Sequence, residues 1–140
     1  MGKYFKLSDL EVTNTGISNK MNEDDRKDAE WFIDNILDPI RTEYGKPIYV
    51  NSGYRCKAVN IRVKGAANSD HRSIGKIFAV DIDTRIGENK KLLEIIKKMI
   101  NLKKISVKQL IDEYNTKWIH ISSYTLDAVN NNKNHIFKIG

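Results

Sequence analysis

The fold of this chain is decided by residues 107–123, which read VKQLIDEYNTKWIHISS. Two alternating runs flank an Asn-Thr turn, a combination typical of a β-hairpin. With the turn at that position, Glu113 pairs with Trp118 and Ile111 pairs with His120. Since paired residues share one face of a sheet, we expect Glu113 and His120 to point to the same side.

A long amphipathic helix is predicted upstream of this hairpin. Asn22 is a favourable capping residue, and the acidic residues that follow it suit the positive end of a helix dipole. The helix is expected to end near Gly45, and Pro39 should kink it or mark its last turns. The apolar residues of its buried stripe recur at helical spacing and are Trp31, Phe32, Ile36, Leu37 and Ile40.

Short strands and helices make up the rest of the pattern. The predicted strands are Ile48–Val50 and Phe78–Ile82, and the tail His135–Ile139 is a candidate edge strand. The predicted helices are Lys57–Val63 and Asn89–Asn101. Segregated helices with a small antiparallel sheet place the chain in the α+β class. A length of 140 residues suits a single domain, 1–140.

Composition and charge narrow the class of protein. With 24 basic and 18 acidic residues the net charge is +6, which favours anionic partners such as a cell-wall polymer or nucleic acid. The basic residues are spread out and lack aromatic stacking motifs, so we do not expect a nucleic-acid partner. The opening residues, MGKYFK, lack the apolar core of a signal peptide, and no apolar run is long enough to span a membrane. We therefore expect a monomer that is made in the cytoplasm and does not insert into membranes.

Two of the three histidines fall in patterned segments, which suggests a metal centre. His71 precedes a predicted strand and His120 lies in the hairpin. Asp81 and Asp83 face the same side of the strand between them, so either could complete the ligand set. Two imidazoles and a carboxylate suit a catalytic zinc ion, although cobalt or nickel would also bind. The single cysteine, Cys56, provides no disulfide and too few thiolates for a cysteine-based zinc site.

The hairpin also supplies a candidate general base. A metal held by His120 has Glu113 on the same face of the sheet, whereas Asp112 points to the opposite face. A carboxylate within reach of a water molecule at the metal is placed to remove its proton. We therefore predict that Glu113 is the acid–base residue.

Together these segments resemble a known peptidase family. The matching residues are Ser52–Arg55, Asn60, Ser69-x-His71, Gly75, Ala79-x-Asp81 and Trp118-x-His120. They are similar to the zinc D-Ala-D-Ala carboxypeptidases and related peptidoglycan endopeptidases of the M15 type. Phe5–Leu10 and Leu37–Arg41 extend the similarity to the short phage and bacterial members, so that it covers nearly the whole chain up to about Ser123. The resemblance implies a hedgehog/DD-peptidase-like α+β domain.

The resemblance also implies a role for individual side chains. It implies a zinc cofactor and a catalytic carboxylate, together with a cation that binds substrate and stabilises negative charge in the transition state. The implied zinc ligands are His71, Asp81 and His120, the implied catalytic residues are Glu113 and Arg55, and the implied substrate contacts are Arg55, Ser69 and Tyr54.

The chain departs from the family pattern after His71 and before His120. Gly75 lies four and Asp81 ten residues after His71, where the family usually has three and seven, so we expect a longer loop. The family usually has small residues where this chain has 76–78, Lys-Ile-Phe. Lys117 stands three residues before His120, where many relatives carry their catalytic glutamate. We therefore expect an altered cleft.

The predicted function is zinc-dependent hydrolysis of a peptide bond in the stem or cross-link of bacterial peptidoglycan. The enzyme would be a D,D-carboxypeptidase or an endopeptidase resembling a phage endolysin. Lacking a signal peptide, it would reach the wall by holin-type release or as a component of the virion. The alternative is a non-catalytic virion structural or wall-binding module that keeps the fold. Glu113 and Arg55 favour the enzyme, and the longer loop favours the alternative.

Overall fold

A five-stranded sheet organises the protein, whose computed structural model describes residues 3–140. Met1 and Gly2, which begin the segment predicted to lack a signal sequence, lie outside the described residues. The strand order is β1-β2-β4-β3-β5. The strands are β1 (Tyr49–Ser52), β2 (Ile77–Asp83), β3 (Gln109–Glu113), β4 (Trp118–Tyr124) and β5 (His135–Ile139).

The hairpin formed by β3 and β4 has the predicted register. Glu113 pairs with Trp118, and Ile111 pairs with His120. The turn is tight because residues 114–116 all adopt left-handed backbone angles, with φ between 51° and 59°. The carboxylate of Asp112 accepts a hydrogen bond of 2.6 Å from the backbone N–H of Thr116 and so stabilises the turn.

The predicted long helix is present but is interrupted by a wider turn. It comprises α1 (Glu23–Phe32), a π-helical turn (Ile33–Leu37) and α2 (Asp38–Tyr44). Pro39 has no N–H to donate within the helix, which accounts for the wider turn directly before it. Asn22 caps α1 by accepting a 2.8 Å hydrogen bond from the N–H of Asp25. Gly45 ends α2 in the left-handed conformation, φ 81°.

The described chain has three further α-helices and two 3₁₀ segments, Leu7–Glu11 and Asp70–Arg72, and the core lies on one face of the sheet. These helices are α3 (Lys57–Arg62), α4 (Asn89–Asn101) and α5 (Ala128–Asn131). The long helix and α4 pack on the sheet through one continuous cluster, which includes Phe32, Ile36, Leu92, Ile96, Val80, Ile82, Leu110 and Ile121. The alternate residues of β2, β3 and β4 point to the other face, so that face is left for a functional site.

The α+β class and the edge strand His135–Ile139 are confirmed, while the sheet is not wholly antiparallel as predicted. The first four strands are antiparallel, but β5 runs parallel to β3, so the sheet is mixed. The physical reason is the connection after β4, which passes through α5 and crosses to the far edge instead of turning back as a hairpin. None of the helices in residues 3–140 has the length and apolar character needed to cross a membrane.

Candidate metal centre and catalytic cleft

Three side chains converge on the open face of the sheet. His71 lies in a short 3₁₀ turn (Asp70–Arg72), Asp81 lies in β2 and His120 lies in β4. Asp81 and His120 are direct partners across these two strands. Asp81 Oδ1 is 3.0 Å from His120 Nδ1 and 3.3 Å from His71 Nε2. One nitrogen or oxygen atom from each residue lies within 4.8 Å of the others, a spacing that could hold a metal ion.

Asp81 is held as a carboxylate in this group. Its side chain is only 13% exposed, and burial alone would raise its pKa. Hydrogen bonds to the imidazoles of His120 and His71 outweigh burial and hold the pKa of Asp81 well below its usual value. Asp83, the other aspartate that the sequence allowed, lies outside the group. Its Oδ1 accepts hydrogen bonds from the N–H of Arg85 at 2.8 Å and the amide of Asn89 at 3.1 Å.

The orientation of His71 is set by the backbone of a neighbouring segment. His71 Nδ1 lies 2.7 Å from the carbonyl oxygen of Gly53, which can only accept a hydrogen bond, so Nδ1 carries the proton. The other ring nitrogen, Nε2, lies 3.3 Å from Asp81 Oδ1 and is the atom that is placed to bind a metal ion. The N–H of Arg55 also donates to the carbonyl of His71 at 2.7 Å. A histidine ring held in this way is typical of a metal ligand.

The longer loop after His71 does not separate it from Asp81. Ser73, Gly75 and Lys76 all adopt left-handed backbone angles, so the chain reverses tightly and enters β2 at Ile77. The N–H of Thr125 donates to the carbonyl of Lys76 at 2.8 Å and fastens the loop to the end of β4. The additional residues are therefore accommodated beside the sheet.

Replacing Gly53 by alanine is expected to destabilise the protein by about 1–3 kcal/mol, the usual cost of overpacking. An added Cβ would lie 2.5 Å from the carbonyl oxygen of Leu10 and 3.0 Å from its Cα. The same carbonyl accepts a 2.7 Å hydrogen bond from the N–H of Tyr54, so the clash is with anchored backbone. The shift of Gly53 should also lower metal affinity about 10- to 100-fold by disturbing His71. Thermal unfolding and metal titration measure the two effects.

Gly16→Ala is the matched control for this prediction. Gly16 has φ +77° but nothing within 4 Å of an added Cβ. Its substitution should therefore cost only the left-handed strain of about 1–2 kcal/mol and leave metal affinity unchanged. A Gly53→Ala protein with wild-type metal affinity would contradict the role of the Gly53 carbonyl.

Arg55 brings a partly buried cation to the same site. Its Nη2 lies 3.8 Å from Asp81 Oδ2, and its side chain is 17% exposed. Two hydrogen bonds hold the guanidinium, from Nε to Ser52 Oγ at 3.2 Å and from Nη1 to Asn60 Oδ1 at 3.3 Å. Burial lowers the pKa of Arg55, while the carboxylates of Asp81 and Glu113 act in the opposite direction. A guanidinium stays protonated in proteins, so Arg55 supplies positive charge.

Glu113 faces the metal group across an open cleft of about 550 Å³. The cleft is lined by the three candidate ligands together with Arg55, Ser69 and Glu113. The indole N–H of Trp118 donates to Glu113 Oε2 at 2.6 Å, which holds the carboxylate in place and leaves its other oxygen uncommitted by that bond. The ring of Tyr114 packs on Trp118 with ring centroids 5.1 Å apart.

Tyr54 is placed away from the other predicted site residues. It is 9% exposed, belongs to the hydrophobic core and is not among the residues that line the cleft. Burial, followed by the nearby charge of Asp25, raises the pKa of Tyr54 to about 12, so its hydroxyl stays protonated. Ser69 does line the cleft, and its hydroxyl accepts a 3.3 Å hydrogen bond from the N–H of His71.

Other contributors to the site had no role in the sequence prediction. The backbone carbonyl of Gly53 carries no side-chain signal. Asn60 belongs to the matching motif, but its contact with Arg55 depends on Gly65, where an added Cβ would lie 2.1 Å from Asn60 Oδ1. The Trp118–Glu113 hydrogen bond could have been inferred, because the predicted register makes the two residues cross-strand partners.

Comparison with known protein families identifies the family of this chain. The sequence model of the family described as Peptidase M15 matches residues 3–122, which include every member of the metal group together with Arg55 and Glu113. No curated protein matches the chain. Since the family match covers most of the 140 residues, the chain belongs to the M15 peptidase family.

Proposed function

We propose that this protein is a zinc-dependent peptidase that cleaves a peptide bond in the stem or cross-link of bacterial peptidoglycan. The observation that carries the proposal is the convergence of His71, Asp81 and His120 within 4.8 Å in the cleft that also holds Glu113. Two imidazole nitrogens and a carboxylate oxygen are the donors of many catalytic zinc sites. Because His71 Nδ1 is committed to the Gly53 carbonyl, Nε2 is the ring nitrogen that would bind the ion, and these residues fit zinc.

Glu113, Trp118 and Arg55 have separate roles in the proposed amide hydrolysis. A zinc ion bound by these ligands would polarise the scissile carbonyl and lower the pKa of a water molecule. Glu113 takes the proton from the attacking water and delivers it to the leaving amine, as a general base and then a general acid. Trp118 keeps the Glu113 carboxylate aimed into the cleft. Arg55, partly buried and cationic, stabilises the negative charge that grows on the carbonyl oxygen.

The peptidoglycan substrate is supported by the family and by the charge of the protein. The M15 motifs resemble those of enzymes that act on the peptide stems of the cell wall. A net charge of +6 would raise the rate of encounter with an anionic wall polymer at low salt. The same proposal includes a role as a phage lysis enzyme or a virion component. The protein would be delivered to the wall from the cytoplasm and act there as a monomer of one domain.

Mass spectrometry of purified peptidoglycan fragments tests the proposal. The zinc-loaded protein should release new peptide products, and a chelator should abolish them. The product masses identify the bond: loss of one D-alanine indicates a carboxypeptidase, while an opened cross-link or a cut stem indicates an endopeptidase. Unchanged fragments at high protein concentration, with zinc bound, would contradict the enzyme and support the non-catalytic wall-binding module.

A further inference from the structure

The strand β5 lies beyond residues 3–122, which match the family, and it contributes Ile139 to the lining of the cleft. β5 pairs in parallel with β3, and Ile139 is the partner of Glu113 in this register. The N–H of Tyr114 donates a 2.7 Å hydrogen bond to the carbonyl of Ile139 and holds the end of β5 against the catalytic hairpin. The residues that match the family therefore do not include this part of the cleft lining.

Ile139 presents apolar surface beside Glu113. Paired residues of neighbouring strands share a face, so the side chains of Ile139 and Glu113 point to the same side of the sheet. Ile139 lines the cleft and is 39% exposed, which is high for a large aliphatic side chain. Ile111, on the same strand as Glu113, also lines the cleft. Trp118, the cross-strand partner of Glu113, lines it as well. The side of Glu113 that faces β5 therefore presents apolar surface, while Gln109 and Arg55 also line the cleft.

The opposite part of the cleft is polar and charged. Ser69 and Asp70 line it from the segment that carries His71, and Lys108 binds Asp70 with Nζ–Oδ distances of 2.7 and 2.8 Å. Arg55 lies beside Asp81. The two parts of the cleft thus offer different environments to the two sides of a scissile bond.

The proposed chemistry decides which part of the substrate meets Ile139. Glu113 can protonate the leaving amine only if that nitrogen lies within hydrogen-bond reach of its carboxylate. The residue that carries the nitrogen must then lie beside Glu113. Neighbouring strands are about 4.8 Å apart, so a substrate side chain on the β5 side of Glu113 is within contact distance of Ile139.

We propose that Ile139 is a specificity-determining residue that selects a small apolar side chain on the amine side of the scissile bond. This inference rests on the proposed function and narrows it. A D-alanine methyl group would gain contact with Ile139. The carboxylate of a D-glutamate at the same position would be desolvated against isoleucine and repelled by Glu113. Of the two kinds of bond left open, the geometry favours the one whose amine belongs to alanine over the L-Ala–D-Glu bond.

The test compares two matched peptides that differ only in the residue donating the amine, D-alanine or D-glutamate. We expect kcat/KM and affinity of the zinc-loaded protein to favour the alanine peptide at least about tenfold, a typical effect for a pocket contact. Ile139→Asn should reduce the ratio about tenfold, and Ile139→Lys should reverse it by pairing with the glutamate. Ile136→Asn is the matched control, because Ile136 is also 39% exposed but contacts the opposite cavity, beside Leu93.

Calorimetric affinities separate this inference from the proposed function. If the peptides bind with the expected preference but neither is cut, the proposed hydrolysis is wrong and the role of Ile139 stands. If both Ile139 variants keep the wild-type ratio of affinities, or if the wild type binds neither peptide, the inference is overturned. Thermal unfolding curves establish that each variant is folded, which we expect because Ile139 lies on an exposed edge strand.

Discussion

Replacing His120 by alanine is expected to abolish peptide hydrolysis and to weaken zinc binding by about 100-fold or more. Zinc sites with several protein ligands bind with roughly 10–16 kcal/mol, so the loss of one ligand should cost about 3 kcal/mol. His120 Nδ1 lies 3.0 Å from Asp81 Oδ1, and the removal of the ring would also leave that carboxylate without one of its hydrogen-bond partners. Competition with a chromophoric chelator measures zinc affinity, and product release from a stem peptide measures activity.

His135→Ala is the control for the same substitution elsewhere in the chain. His135 is exposed in β5, and its ring packs on Phe137 with centroids 4.7 Å apart. It lies outside the metal group and the cleft lining. This variant should keep wild-type zinc affinity and activity. A His120→Ala protein that binds zinc and cuts peptide as the wild type does would exclude the proposed metal centre.

The relation between Glu113 and His120 could be predicted because it depends on local pattern alone. Alternation sets which side chains share a face, and the position of the turn sets the register. Both follow from residues 107–123, and the observed pairing is the predicted one. The helix that begins after Asn22 and ends at Gly45 was predictable for the same reason, since its cap, buried stripe and terminating glycine are close in sequence.

Features that depend on long-range pairing could not be predicted from residue patterns. Asp81 and Asp83 share a face of β2, and only the pairing of Asp81 with His120 decides between them. The parallel placement of β5 depends on the crossover through α5, and the asparagine-rich segment 130–134 signals a loop without determining which edge of the sheet β5 joins. The burial of Tyr54, by contrast, could have been predicted. Tyr54 adjoins Arg55 in the motif, and side chains of neighbouring residues in extended backbone point to opposite sides, so Tyr54 is directed toward the core.

The position of Glu113 is the basis of its proposed role as the acid–base residue. Glu113 lies on β3. Many relatives have their catalytic glutamate three residues before the last histidine ligand, and Lys117 occupies that position here. Its carboxylate nevertheless reaches the cleft and accepts the 2.6 Å hydrogen bond of Trp118. The side chain is thus positioned by its strand and by a cross-strand donor.

Glu113→Gln is expected to lower kcat by about 10²–10⁴-fold, because the amide cannot accept or deliver the proton. Zinc affinity should not change, since Glu113 lies outside the ligand group. The control is Asp112→Asn, the same chemical change one residue away on the opposite face, where the amide oxygen can still accept from Thr116. Single-turnover kinetics on a stem peptide, with zinc content measured in parallel, distinguish the two variants. Equal kcat values for Glu113→Gln and the wild type would show that another group moves the proton.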